Sequence, residues 1–234
     1  MKLYRAVACA SASIFIACAA PAFAKPIFLA PAEYDPKSLL PAPSADDSAA
    51  TKSELSELER IQASRTPDDL ARAKSDSETE NATIFEVAIG SGFDLKALPA
   101  TAKLLADVRN DEKEAATTAK NFFLRSRPWT VDANLQSCSK NDAAKSSYPS
   151  GHSTMGYAMG VILASLIPDK AEAILARAKD YAENRLVCGV HYRSDIAAGE
   201  TLGTAVAVEL MHNAQFKPEY DAAAQELKAA HLTK

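Results

Sequence analysis

From about position 51 to the end of the chain, apolar residues recur at helical intervals, and no useful stretch alternates apolar with polar residues as a half-buried strand does. Leu55, Leu58 and Ile61 stand at i, i+3 and i+6 among Glu, Ser and Arg, which predicts an amphipathic helix beginning near Thr51. Thr66-Pro67-Asp68-Asp69 is a helix start: a capping hydroxyl, a proline at the first position, then acids near the positive helix end. That helix is expected to run through Ala73. Thr83 to Phe93 reads either as a buried helix ending at Gly90-Ser91-Gly92 with a loop after it, or as a loop covering a site. The first reading is favoured. Leu98 to Phe123 has helical period with a polar middle, Arg109 to Lys113, and Pro128 stops it. Ser150 to Leu166 is rich in Gly, Ala and Met, which predicts a central helix packed closely on its neighbours. Pro168-Asp169 separates it from Ala171 to Leu186, with an apolar stripe of Ile174, Leu175, Ala178, Tyr181 and Ala182. Ser194 to Asn213 and Asp221 to His231 supply two more helices. The expectation is all-α: a single-domain helical bundle over residues 51–234.

The first 50 residues break this pattern. Residues 1–24 look like a signal peptide: Lys2 and Arg5, a small apolar run, and the cleavage site Ala22-Phe23-Ala24. The run is too short for a comfortable bilayer span. Residues 25–50 carry Pro26, Pro31, Pro36, Pro41 and Pro43 and are expected to form an extended proline-rich arm. The chain has 234 residues, enough for one domain with a real core. Removal of the leader leaves 24 Lys and Arg against 30 Asp and Glu, a net charge of −6. That balance argues against nucleic acid as a partner. No later apolar run approaches a membrane span, so no membrane is expected for the mature form. A leader also implies a periplasmic or secreted protein. Two of the four cysteines leave with it, and in that compartment Cys138 and Cys188 read as one disulfide, with two separate buried thiols as the alternative.

The chemistry concentrates in three short segments. Lys120 and Arg127 are seven apart, nearly two helical turns, which places both on one helix face. Arg offers a planar fork for phosphate oxygens, Lys a mobile point charge. Pro149-Ser150-Gly151-His152 precedes a helix whose N-terminus is an anion site by geometry and dipole, with His152 in its first turn. Arg185, His191 and Asp195 complete the set. A carboxylate four residues after an imidazole can fix its tautomer and leave the other nitrogen as nucleophile or base. Taken singly, each piece has a plainer reading: a solvated helix face, a capped helix, a surface ion pair.

Jointly, KNFFLRSRP (120–128), PSGH (149–152) and NRLVCGVHYRSD (184–195) resemble the phosphatase signature of the type-2 phosphatidic acid phosphatase (PAP2) superfamily, which vanadium haloperoxidases share. That signature reads Lys-x6-Arg-Pro, Pro-Ser-Gly-His and Ser-Arg-x5-His-x3-Asp. With the leader, the arm and the SYPSGHSTMGYA and RLVCGVHYRSDIAAG runs, the chain most closely resembles the secreted bacterial class A non-specific acid phosphatases. The resemblance implies a helical bundle of the PAP2/haloperoxidase type. It implies two-step phosphoryl transfer through a phosphohistidine: His191 as nucleophile, Asp195 orienting it, His152 as acid and then base. Lys120, Arg127 and Arg185, with Ser150 and the Gly151 N–H, would hold the phosphate oxygens. No metal and no cofactor is called for, because the cations do the neutralising. Small phosphomonoesters would be substrates, phosphate and vanadate inhibitors, an acidic pH optimum expected, and self-association to a homo-oligomer expected through helices. Asn184 departs from the family serine, and retuned phosphate contacts are expected there. The competing readings are a vanadate-dependent haloperoxidase, whose members are usually much longer, a soluble lipid-phosphate phosphatase, and a non-catalytic phosphate-binding protein, against which the two histidines argue.

Outside the pattern, His212 and His231 read as surface residues, and Glu54, Glu57 and Glu59-Arg60 as a solvated helix face. Trp129 reads as packing or pocket wall, Tyr148 as lining the entrance, and Gly90-Ser91-Gly92-Phe93 as a helix end or a cover.

Overall fold

Side-chain caps mark where the long helices start. Ser48, Thr66 and Ser150 each accept the backbone N–H three residues on, and Thr66 with Asp69 closes a reciprocal capping box. A computed structural model describes residues 27–30, 33 and 35–234; the expected leader at 1–24 lies outside them. The helices are α1 (Pro36–Leu39), α2 (Ala49–Ser64), α3 (Pro67–Glu78), α4 (Glu86–Ile89), α5 (Pro99–Phe123), α6 (Pro128–Val131), α7 (Gly151–Leu166), α8 (Ala171–Val187), α9 (Arg193–His212) and α10 (Lys217–Ala229). No strand occurs among the described residues, and the fold is all-α. No described helix is long and apolar enough to cross a membrane.

The central element is α7. Ten of its sixteen residues are buried, so it has no polar face and must be surrounded. It packs most extensively against α9 and α8, with α5 on another side and α10 against α5. Phe85, Leu104, Ile162, Leu202 and Phe216 are fully buried in this core. Burying each such side chain stabilises by roughly 1.5–3 kcal/mol. Close approach of α9 to α7 depends on Gly203: a Cβ there would meet the Thr154 carbonyl oxygen at 2.3 Å and the Ala158 nitrogen at 3.0 Å. Both are backbone atoms and cannot swing aside.

Several expectations need correction. The arm contains the helical turn α1 and gives its last two residues to α2. It is tied down at one buried carboxylate: the backbone N–H groups of Ile27, Phe28 and Leu29 all donate to Asp111 on α5. The polar middle of α5 is therefore interior, with Asp111 and Glu112 both fully buried. Leu175, placed in the apolar stripe of α8, is 38% exposed. Lys120 and Arg127 do not share a helix, because α5 ends at Leu124 in the left-handed region (φ 50°) and Arg127 is the residue that precedes α6. As expected, by contrast, Cys138 and Cys188 form a disulfide. Closing a chain segment of that length removes about 4 kcal/mol of unfolded-state entropy in the loop-closure picture.

Gly203→Ala should destabilise the protein by at least about 1–3 kcal/mol, the overpacking range, since backbone must move. Urea unfolding checks it; an unchanged midpoint contradicts the close α7–α9 contact.

Candidate active site

The α8–α9 junction builds the histidine. After α8 the chain turns through Gly189 at φ 65°, a conformation that favours glycine. This presents His191 just before α9. Asp195, in the first turn of α9, points back: its Oδ2 lies 3.2 Å from His191 Nδ1 and accepts the Tyr192 N–H at 2.9 Å. On the other side of the ring, Arg127 Nη1 is 3.0 Å from His191 Nε2. A guanidinium only donates, so Nε2 accepts and the ring proton sits on Nδ1, facing Asp195. His191 is 1% exposed. Burial, then Arg127 and Lys120, hold its pKa well below the usual histidine value, so the ring is neutral with its lone pair on Nε2.

Sequence reasoning missed what holds Asp195. Arg125 Nη1 donates to Asp195 Oδ1 at 2.7 Å, and Ser147 Oγ donates to Oδ2 at 2.5 Å. Burial raises the Asp195 pKa, and Arg125, Ser147 and the Tyr192 N–H counter it. Arg125 also bonds Ser194 Oγ at 2.6 Å and Glu54 at 2.7 Å, and lies over the Tyr192 ring at 4.0 Å. Glu54 is thus no solvated-face residue; its other oxygen accepts the Ser194 N–H at 2.7 Å. Glu57, likewise, pairs with Arg193. The one available signal was Arg125 itself, a third cation inside KNFFLRSRP.

The cations converge on the same place. Lys120 Nζ donates to the Ser146 carbonyl at 2.7 Å. Burial, with Arg127 next, pushes its pKa down to about 7. Arg127 is 3% exposed, donates to the Val190 carbonyl and lies 3.3 Å from Asp142. Arg185 is 2% exposed, and its Nε and Nη1 have no protein acceptor. Burial above all lowers its pKa to about 10. Such clustering costs solvation and repulsion together, and a bound anion is what would offset both. Lys120, Arg127, Gly151, His152 and His191 line one cleft of about 140 Å³, together with Glu80, Arg109, Glu112 and Asp142. His152 keeps a side-chain exposure of 12% there. Burial and then Arg185 hold its pKa well below the usual value. Arg185 is not among the lining residues, but its charge acts on Lys120 and on both histidines.

These segments sit inside a recognised domain: residues 108–219 match the PAP2 superfamily. This stretch, which holds all three motif segments, is a PAP2 superfamily domain. The chain is 34% identical over 170 residues to an acid phosphatase of Zymomonas mobilis, covering 70% of this chain and 64% of that one. It is 30% identical over 150 residues to a non-specific acid phosphatase of Providencia stuartii, covering 62% of this chain and 60% of the relative. With a non-specific acid phosphatase of Salmonella typhimurium it shares 28% over 163 residues, 67% and 65% of the two chains. The chain thus spans somewhat less than two thirds of the length of these relatives.

Other expected site residues lie elsewhere. Ser150 is fully buried, its hydroxyl oxygen capping α7 and its N–H donating to the Asp195 carbonyl. It therefore positions the PAP2 helix N-terminus and does not line the cleft. Asn184 donates to Asp76 at 2.7 Å, outside the cleft, so the departure from serine does not retune a phosphate contact directly. Tyr148 is core, with its hydroxyl on the Pro41 carbonyl, because Phe123 stacks edge-on against it. Trp129 packs by Ala73, Cys188 and Val190 under Arg127. Gly90 ends α4, and the following loop lies by Lys170 and Leu232 rather than over the cleft. His212 and His231 are exposed.

Arg125→Met should cost about 3–5 kcal/mol, because it strands the buried Asp195 carboxylate. The variant should unfold at lower denaturant concentration. Stability equal to wild type contradicts the ion-pair assignment.

Proposed function

We propose that this protein is a phosphomonoesterase working through a phosphohistidine, as its resemblance to class A non-specific acid phosphatases suggests. The observation that carries the reading is the cleft itself, where a neutral imidazole, a second imidazole, Lys120 and Arg127 face one small volume. Lys120, Arg127 and Arg185, with the Gly151 N–H at the N-terminus of α7, bind the phosphoryl oxygens and stabilise the charge that develops on them. Phosphate oxygens take over the Arg127 fork and release Nε2 of His191 for in-line attack. Asp195 keeps the Nδ1 proton in place and stabilises the imidazolium product. His152 gives its proton to the leaving oxygen as the P–O bond breaks, then takes one from the water that attacks phosphohistidine. An alcohol in place of that water receives the phosphoryl group, so phosphotransfer belongs to the same reading.

The cleft is small and lined by charge, which suits phosphate monoesters of small polar alcohols. Inorganic phosphate and vanadate should compete with substrate. The sequence of residues 1–24 supports a periplasmic or secreted site of action.

The pH dependence follows from the site. His191 must be neutral, so the rate rises as pH passes its depressed pKa. His152 must be charged, and so must Lys120 at about 7, so the rate falls as pH rises through those values. A bell with its maximum below neutrality is expected for kcat/KM on an alkyl phosphomonoester, whose leaving group needs the acid; a flat profile between about pH 4 and 9 contradicts it. His191→Ala should lower kcat by at least about a thousandfold and abolish the acid-labile phosphoenzyme trapped by quenching. An active His191→Ala protein would remove the proposed nucleophile.

A further inference from the structure

His152 has surroundings that phosphate binding does not explain. Its Nε2 lies 3.2 Å from the Ser77 carbonyl oxygen and 3.6 Å from Glu80 Oε1. Ser77 is one of the last residues of α3, whose terminal carbonyls form the negative helix end. A carbonyl only accepts, so Nε2 carries a proton in both charge states of the ring, and Nδ1 is the nitrogen left to exchange one. Glu80 lies just beyond α3, at the cleft rim, and is itself held: Arg109 on α5 pairs with it and with the buried Glu112. The Tyr181 ring on α8 lies beside the imidazole, with centroids 5.5 Å apart.

We propose that Glu80 is a positioning residue for His152: with the Ser77 carbonyl it fixes the ring through Nε2–H, turns Nδ1 to the leaving-group oxygen and favours the charged acid. The proposal rests on the phosphatase reading for the identity of that oxygen. In the first step the Nδ1 proton moves to the ester oxygen as the P–O electron pair collapses onto it, giving the free alcohol and a neutral ring. In the second step Nδ1 takes the proton of the attacking water. The other charges facing His152 are Arg185 on α8, Lys120 and Arg109 on α5, and His191 before α9, all of which disfavour the imidazolium when charged. Glu80 is the carboxylate within reach of Nε2 among the described residues, and Arg109 keeps it there while Glu112 engages the other side of the guanidinium. Glu80 is half-exposed, so its substitution should leave the core intact.

Two readouts test this on Glu80→Gln, which keeps the shape and removes the charge. In NMR titration of the full-length protein, with the His152 signal assigned by its loss in His152→Ala, the midpoint should fall by about half to one pH unit. For kcat/KM at pH 6, an alkyl phosphomonoester, whose leaving group needs protonation, should lose about three- to tenfold. p-Nitrophenyl phosphate, whose leaving group departs as an anion, should stay within about twofold. A merely structural residue would lower both esters alike and leave the midpoint in place. An unchanged midpoint, or a His152 that stays neutral in both proteins, overturns the proposal. Failure of the wild type to hydrolyse either ester sinks the phosphatase reading, while the titration still decides the role of Glu80.

Discussion

One buried carboxylate ties the site together. Asp195 receives Arg125 and Ser147 from the segments before and after the disulfide-bearing loop, the Tyr192 N–H from its own helix start, and His191 Nδ1. Its backbone carbonyl accepts the Ser150 N–H, which ties α9 to the start of α7. An ionised carboxylate with no exposure is tolerable only when its lone pairs are filled. The cost of leaving any of them empty forces α5, α7, α8 and α9 into one arrangement. The orientation of His191 and the helix packing are therefore consequences of the same group.

The second constraint is electrostatic and runs against stability. Arg127 and Arg185 are nearly buried, Lys120 is partly so, and their charges lower the basicity of Lys120 and of both histidines. A site assembled only for stability would not hold three cations around two imidazoles. Core contacts between α7 and its neighbours, the arm docked on Asp111 and the Cys138–Cys188 link supply the rigidity that keeps this arrangement from relaxing. The cations are thereby held in place, as the proposed phosphoryl transfer would require.

The sequence revealed the parts of this whose causes are local. Helix spans followed from caps, prolines and apolar period, and the boundaries fell close because Thr66, Ser150 and Gly90 act on their immediate neighbours. Lys120, Arg127, His152, Arg185 and His191 were legible because the family signature spaces them along short segments. The i,i+7 rule nonetheless failed for Lys120 and Arg127, because Leu124 ends the helix between them and tertiary bonds to Val190 and Ser146 place the guanidinium. Glu54 and Glu80 looked like ordinary surface acids. Nothing near them in sequence marks Arg125 or His152 as partners, since those contacts span 71 residues in one case and 72 in the other. Ser150 looked like a ligand and is a cap, a distinction that depends on which way the helix start faces.

The central claim is that a single phosphoryl group is held between the three cations with His191 Nε2 in line behind it. A crystal structure with vanadate tests it most directly. The account predicts vanadium bonded to His191 Nε2, its oxygens within hydrogen-bond reach of Lys120, Arg127 and Arg185, and His152 on the opposite side. Vanadate bound away from His191, or Arg185 left without an oxygen partner, would contradict it.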